Sequence, residues 1–235
     1  LEVWPLVRPP PGRANAARPA PPDARLAYVV QTSGTTGTPV AVAIERSSVR
    51  AQVRALRQAW PFTAQRGQRF LLTARLSFDA SLEALFLAVA TGGTVVVPDA
   101  ATLTTPERFW GFVRTARIDV LSLTPSFAAA MGPPREALEG VRAVILGGEE
   151  LSAGLAAGLR QRLPRAVVLN TYGPTEATIN TTFHDTADGR VVLGRPLPGF
   201  RCVVLDAERR PAPLGVRGEL AISGPCLARG YLGDD

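Results

Sequence analysis

The apolar run Leu26 to Val30 feeds straight into Gln31-Thr32-Ser33-Gly34-Thr35-Thr36-Gly37-Thr38-Pro39, a loop of hydroxyls and glycines. Backbone N–H groups and hydroxyls in such a loop can wrap around phosphate oxygens, because glycine tolerates close approach and positive φ. The spacing is not that of a Walker A loop: Gly34 and Gly37 are only three apart, and no Gly-Lys-Ser/Thr follows. Taken alone, the loop reads equally well as a phosphate cradle or as a polar turn.

A second group of residues with chemical potential is acidic. Asp79 stands at a helix start, where aspartate is a common N-cap. Glu83 follows four residues later, so both carboxylates project from one helix face. The rest of that segment, Leu82, Ala84, Leu85, Phe86, Leu87, Ala88 and Val89, is apolar enough to be buried. A buried carboxylate needs a partner, either a cation from outside or one of the chain's own arginines.

These residues are carried by alternating elements. Strands are expected at Leu26–Val30, Arg69–Thr73, Thr94–Val97, Asp119–Leu123, Ala143–Leu146 and Val167–Asn170. Helices are expected near Ser47–Trp60, Asp79–Ala90, Pro106–Ala116 and Ser152–Arg162, the third with Thr105 as cap and Pro106 in its first turn. Strand alternating with helix predicts an α/β fold, parallel sheets flanked by helices, over residues 25–183. Residues 184–235, with Pro and Gly turns and short strands such as Cys202–Leu205 and Glu219–Ser223, read as a small β-rich subdomain. Residues 1–24, rich in Pro, Ala and Arg, read as a lead-in or linker.

The 235 residues are 46% hydrophobic and 20% charged, ordinary for a soluble globular chain. No apolar run approaches a membrane span and no signal-peptide pattern opens the chain, so no membrane partner is expected. Cys202 and Cys226 are isolated and His184 is the single histidine, which argues against a zinc site or disulfide framework and for a cytoplasmic setting. The net charge is +6 and every basic residue is arginine. These arginines are scattered rather than blocked, so no nucleic-acid partner is expected. With no lysine in the chain, chemistry that needs an ammonium group must draw it from elsewhere.

Further segments follow strands in order: Phe78-Asp79-Ala80-Ser81, Gly147-Gly148-Glu149, Asn170-Thr171-Tyr172-Gly173-Pro174-Thr175-Glu176, and Gly218 to Gly224 leading into Leu227-Ala228-Arg229-Gly230-Tyr231-Leu232. With the opening loop, they resemble the adenylate-forming superfamily over residues 26–232, and within it the amino-acid adenylation domains of nonribosomal peptide synthetases. The resemblance implies ATP-dependent activation of an amino acid, with Mg²⁺, and transfer to the phosphopantetheine thiol of a peptidyl carrier protein among neighbouring synthetase domains. It assigns Thr32, Ser33, Thr35 and Thr36, with Gly34 and Gly37, to the β- and γ-phosphates. Tyr172 would stack on adenine, Thr175 would meet the α-phosphate, and Glu176 would hold Mg²⁺. Gly147, Gly148, Glu149 and Asn170 would border the nucleotide.

The same resemblance implies an amino-acid pocket of Asp79, Ala80, Glu83, Ser122, Ile145, Gly147, Thr171, Ile179 and Asn180. Asp79 would bind the α-ammonium, and Glu83, the set's second acid, would face a cationic side chain such as that of lysine or ornithine. Two departures stand out. The loop continues Pro39-Val40-Ala41 where the family has Pro-Lys-Gly, so either an arginine such as Arg46 or Arg75 supplies the missing charge or adenylation is weak. The chain also ends before the family's ribose-binding motif, hinge and C-terminal domain, so it is expected to be a central piece that is inactive or impaired alone. Competing expectations are an acyl- or aryl-CoA ligase of the same superfamily and a degenerate nucleotide-binding module.

Overall fold

The computed structural model describes residues 25–32 and 39–232. The expected lead-in and the loop residues Ser33, Gly34, Thr35, Thr36 and Gly37 lie outside the described residues.

The described residues begin with β1 (Leu26–Thr32), paired antiparallel to β2 (Val40–Glu45), the two strands flanking the hydroxyl-rich segment. This corrects the expectation that Leu26–Val30 begins the parallel series. Two extended runs joined by a loop this short fold back on each other, whereas a parallel partner needs a longer crossover. Helix α1 (Arg46–Ala59) follows. Then come β3 (Arg69–Leu72), α2 (Ala80–Thr91), β4 (Thr94–Val96), α3 (Pro106–Thr115), β5 (Val120–Leu123), α4 (Pro125–Met131), β6 (Ala143–Gly147), α5 (Ala153–Arg162) and β7 (Val167–Tyr172). The expected strands and helices of this stretch are all present. Helix α4 was not expected, yet it begins as α3 does, with a threonine cap, Thr124, and a proline in the first turn.

The order of the large sheet is β4-β3-β5-β6-β7, all parallel, extended by β8 (Thr182–Asp185) and β9 (Arg195–Pro196), both antiparallel. This sheet runs past the boundary expected at 183/184. Beyond it, β10 (Arg201–Leu205) and β11 (Glu219–Ser223) form a separate antiparallel ribbon. The last strand, β12 (Gly230–Leu232), returns to pair with β2.

Successive strand residues point to opposite faces, and two cores result. Leu71, Val96, Leu121, Val144 and Val168 pack on one side with Phe109, Trp110, Met131 and Leu159 of α3, α4 and α5. Phe70, Val95, Val120, Ile145 and Leu169 pack on the other with Leu56, Ala84 and Leu87 of α1 and α2. Both faces are covered, as a parallel sheet requires. The chain leaves β3 for β4 on one side and returns to β5 on the other, so a topological switch point lies between the carboxyl ends of β3 and β5. Ligands of open α/β sheets bind at such a crevice. No helix among the described residues is long and apolar enough to cross a membrane.

Candidate active site

A cavity of about 230 Å³ opens at that switch point. Thr73 and Ala74 follow β3, Ser122 to Thr124 end β5, Gly147 and Gly148 end β6, and Thr171 and Gly173 end β7; α2 contributes Asp79, Ala80 and Glu83. All nine residues expected of the amino-acid pocket line this one cavity. Its volume lies below the roughly 300–1,000 Å³ of pockets for drug-sized ligands, which fits a small substrate better than a long acyl chain.

Asp79 occupies the N-cap position of α2 but has helical φ and ψ and makes no side-chain cap bond. The ordinary explanation for an aspartate here therefore does not apply. Its Oδ2 is buried without a hydrogen-bond partner. Burial raises its pKa above the usual carboxylate range, while the neighbouring Thr175 hydroxyl opposes that rise. An ammonium entering the cavity would satisfy this acceptor.

Glu83, one turn further along, is 2% exposed. Ser122 Oγ donates to its Oε1 at 2.9 Å, and Asn180 Nδ2 donates to its Oε2. Among the described residues no arginine pairs with it, so the internal ion pair left open by the sequence does not form. Burial pushes its pKa from 4.5 to about 7, the Ser122 and Asn180 hydrogen bonds pull it down, and the charge of Asp79 adds to the rise.

A second cavity, of about 500 Å³, lies beside the first and shares Gly148, Thr171 and Gly173 with it. Tyr172, 37% exposed, borders it, and Glu149, Asn170 and Val191 to Leu193 complete the wall. Two of the expected nucleotide residues are committed within the protein. Glu149 accepts from Ser126 N–H at 2.7 Å and Ser126 Oγ at 2.9 Å, tying the end of β6 to the N-terminus of α4. Asn170 Nδ2 donates to the Val192 carbonyl at 2.8 Å and so holds the outer wall of the cavity. Gly147 lines the first cavity rather than the second, and a Cβ there would meet Thr171 Oγ1 at 2.5 Å.

Thr175 and Glu176 sit in a short 3₁₀ turn directly after β7. The turn ends on two β-branched residues in the left-handed region, Thr178 at φ 58° and Ile179 at φ 73°. Such conformations cost on the order of 1–3 kcal/mol each and persist only where neighbours impose them. Here Thr178 Oγ1 donates to the Cys226 carbonyl at 2.6 Å, and Thr181 N–H donates to the Tyr172 carbonyl at 2.7 Å. The strained pair aims Ile179 and Asn180 into the first cavity.

Of the residues expected to hold phosphate in the hydroxyl-rich loop, Thr32 is described. It pairs with Val40 across the hairpin, and its Oγ1 donates to the Val40 carbonyl at 3.4 Å, closing the neck of the loop. Arg46 lies beyond the other end of β2, about 20 Å along an extended strand from Val40, and is not placed to replace the lysine of the family pattern. Arg75 is exposed in the turn before α2.

No group of three or more His, Cys, Asp or Glu among the described residues could cage a metal ion. A site for Mg²⁺ does not need one, because this ion is commonly held by one carboxylate together with substrate phosphates, and Glu176 fits that donor set. Sequence reasoning missed Thr73, Thr124 and Phe127 on the cavity wall, and Tyr28, whose phenol feels the charge of Asp79. The Tyr28 ring lies 6.2 Å from that of Phe86 on α2, and its hydroxyl is buried without a partner. Burial and the charge of Asp79 both raise its pKa. The alternation of β1, which turns Leu26, Tyr28 and Val30 to one side, was the available signal.

The chain belongs to the AMP-binding enzyme family, whose model matches residues 4–232. It is 40% identical over 209 residues to novobiocin biosynthesis protein H of Streptomyces niveus, covering 88% of this chain and 34% of that protein. It is 38% identical over 215 residues to the phosphinothricin tripeptide synthetase PhsC of Streptomyces viridochromogenes, covering 91% of this chain and 19% of that protein. The crystal structure of the nonribosomal peptide synthetase FmoA3 in its AMPPNP-bound form matches with a TM-score of 0.81 at 28% identity, covering 90% of this chain and 23% of that one. The adenylate-forming fold expected from sequence is therefore present. The chain spans about a third or less of the length of these relatives.

Proposed function

We propose that this chain forms the amino-acid-activating core of a nonribosomal peptide synthetase, using ATP and Mg²⁺ to convert a basic amino acid to its adenylate for transfer to a carrier-protein thiol. The observation that carries the reading is the pair of cavities joined at Gly148, Thr171 and Gly173, one lined by the half-buried Asp79 and the buried Glu83 and the other bordered by Tyr172. A carboxylate in the first cavity and a nucleotide in the second would meet at that shared rim.

In this reading Asp79 Oδ2 accepts from the α-ammonium and orients the substrate carboxylate toward the rim. Glu83, held by Ser122 and Asn180, faces the side-chain ammonium at the far end. The carboxylate oxygen attacks the α-phosphorus, and the bond to the pyrophosphate oxygen breaks. Tyr172 stacks on the base. The Thr175 hydroxyl donates to the α-phosphate oxygen, where charge grows in the transition state. Glu176 would hold the Mg²⁺, which would supply positive charge to the phosphates. Thr32 keeps the neck of the loop closed, and Ser33, Thr35 and Thr36 hold the departing pyrophosphate. Neighbouring carrier domains belong to the same proposal, supported by the synthetase relatives, and a cytoplasmic setting is proposed with them.

The unpartnered Oδ2 of Asp79 favours an amino acid over a fatty or aryl acid, which would offer nothing to this buried acceptor. ATP–pyrophosphate exchange by the full-length protein over a panel of acids tests the reading. Exchange driven by lysine or ornithine supports it. Exchange driven only by fatty or aryl acids assigns a CoA ligase instead, and none with any acid leaves a non-catalytic nucleotide-binding module.

A further inference from the structure

Tyr231 belongs to β12, far in sequence from the nucleotide residues, yet its hydroxyl donates to Glu176 Oε1 at 2.8 Å. This contact is one of several between the two segments. Ala228 N–H donates to the Glu176 carbonyl at 2.7 Å, and Thr178 Oγ1 reaches the Cys226 carbonyl from the same turn. The other side of the segment is fixed to the hairpin: Tyr231 is registered against Val42 of β2, and Arg229 N–H donates to the Ala43 carbonyl at 2.9 Å. Ser48 of α1 holds the Leu227 carbonyl at 2.8 Å. The segment 226–232 thus lies between the Thr175–Glu176 turn and the strand that begins at the neck of the phosphate loop.

We propose that Tyr231 is a positioning residue for Glu176, holding one carboxylate oxygen so that the other is presented to the Mg²⁺ of the bound nucleotide. The inference rests on the reading of Glu176 as the Mg²⁺ ligand. A glutamate at the surface samples several side-chain rotamers, and fixing one in advance removes an ordering cost from metal binding. The chemistry of the donor also suits the task. A neutral phenol orients the carboxylate and leaves its charge for the metal, whereas an arginine would neutralise it. The arginine just before this strand, Arg229, donates to Glu45 Oε1 at 2.9 Å. Hydrogen bonds of this kind behind a metal ligand are worth about 10–100-fold in metal affinity.

The test uses the full-length protein and AMPPNP binding, titrated with Mg²⁺ and repeated in EDTA, so that no turnover is needed. In Tyr231→Phe the Mg²⁺ concentration at half-saturation should rise about 10-fold, with AMPPNP binding in EDTA and the melting temperature at parent values. Introduced into Glu176→Gln, the same change should add nothing. A parent-like Mg²⁺ dependence in Tyr231→Phe, while Glu176→Gln is shifted, would overturn the inference alone. Equal losses with and without metal would also overturn it, because they assign Tyr231 to general packing. If Glu176→Gln itself leaves the Mg²⁺ dependence unchanged, the assignment of Glu176 falls and the inference with it.

Discussion

Glu83 offers the sharpest test of substrate choice, because its protonation and its proposed task are linked. Burial raises its pKa to about 7, so near neutral pH the carboxylate is only partly ionised in the free protein. A side-chain ammonium needs the ionised form. At pH 6 about one molecule in ten is ready, so the KM for lysine or ornithine should be about 10-fold higher at pH 6 than at pH 8 and level above the pKa. Asp79, also raised, acts on every amino acid alike, so a neutral amino acid serves as the control. Glu83→Gln removes the titration. At pH 8 it should cost basic substrates about 2–5 kcal/mol, the range for one partner of a buried charged pair, and flatten the pH profile. Stability should move the other way. The folded pKa of Glu83 lies above its ordinary 4.5, so its contribution is full below pH 4.5 and is lost as pH rises through about 7. That loss amounts to about 3 kcal/mol, and Glu83→Gln escapes it. The glutamine amide can keep both contacts, its oxygen accepting from Asn180 Nδ2 and its NH2 donating to Ser122 Oγ, and comparing parent and variant at pH 5 and pH 8 cancels any constant difference. Pyrophosphate exchange supplies the kinetic profile and denaturant unfolding the stability. A parent KM for basic amino acids that stays flat from pH 6 to pH 8 would refute the reasoning.

Two further perturbations probe how the site is held. Gly173→Ala places a Cβ against the Ile179 carbonyl and 2.7 Å from Asn180 Cα, at a position shared by both cavities. It should cost about 1–3 kcal/mol in unfolding and weaken AMPPNP and amino-acid binding together; parent-like stability would show that the backbone there yields easily. Thr178→Val keeps the shape but removes the hydroxyl that bonds the Cys226 carbonyl at 2.6 Å. A loss of about 1–2 kcal/mol in urea unfolding is expected, with a raised amino-acid KM as Ile179 and Asn180 shift. An unchanged KM would mean that the strained pair is held without this bond.

What was legible in the sequence was local. Glycines at the ends of β6 and β7, the acids one helical turn apart on α2, and the threonine–proline start of α3 act through neighbours in the chain. The nine pocket residues, spread from Asp79 to Asn180, came instead from the family resemblance, and they converge on one cavity. What escaped depended on partners distant in sequence. The mate of β1 is β2 in a hairpin rather than a parallel strand, because the short loop decides the pairing before the periodicity of either run can. Helix α4 went unread although its Thr124-Pro125 start carries the same signal as α3, since seven residues give little periodicity to detect. The partners of Glu83 and Glu176 come from segments that only the finished fold brings close: Asn180 lies 97 residues from Glu83, and Tyr231 lies 55 from Glu176.

The way the fold treats Glu83 bears directly on what the cavity can take. A chain with 26 basic residues, all arginine, has ample means to neutralise one buried acid, and a guanidinium is the usual choice for a buried ion pair. Such a pair would fill the far end of the cavity and satisfy the carboxylate for good. Ser122 and Asn180 do something different: they bind both oxygens and supply no positive charge. The cost of that arrangement is visible in the raised pKa, and nothing in the packing of α2 requires an acid among its apolar neighbours. A carboxylate kept buried, oriented and uncompensated is stabilised most when a cation arrives from outside, and the opening at the β3–β5 switch point is where one can enter.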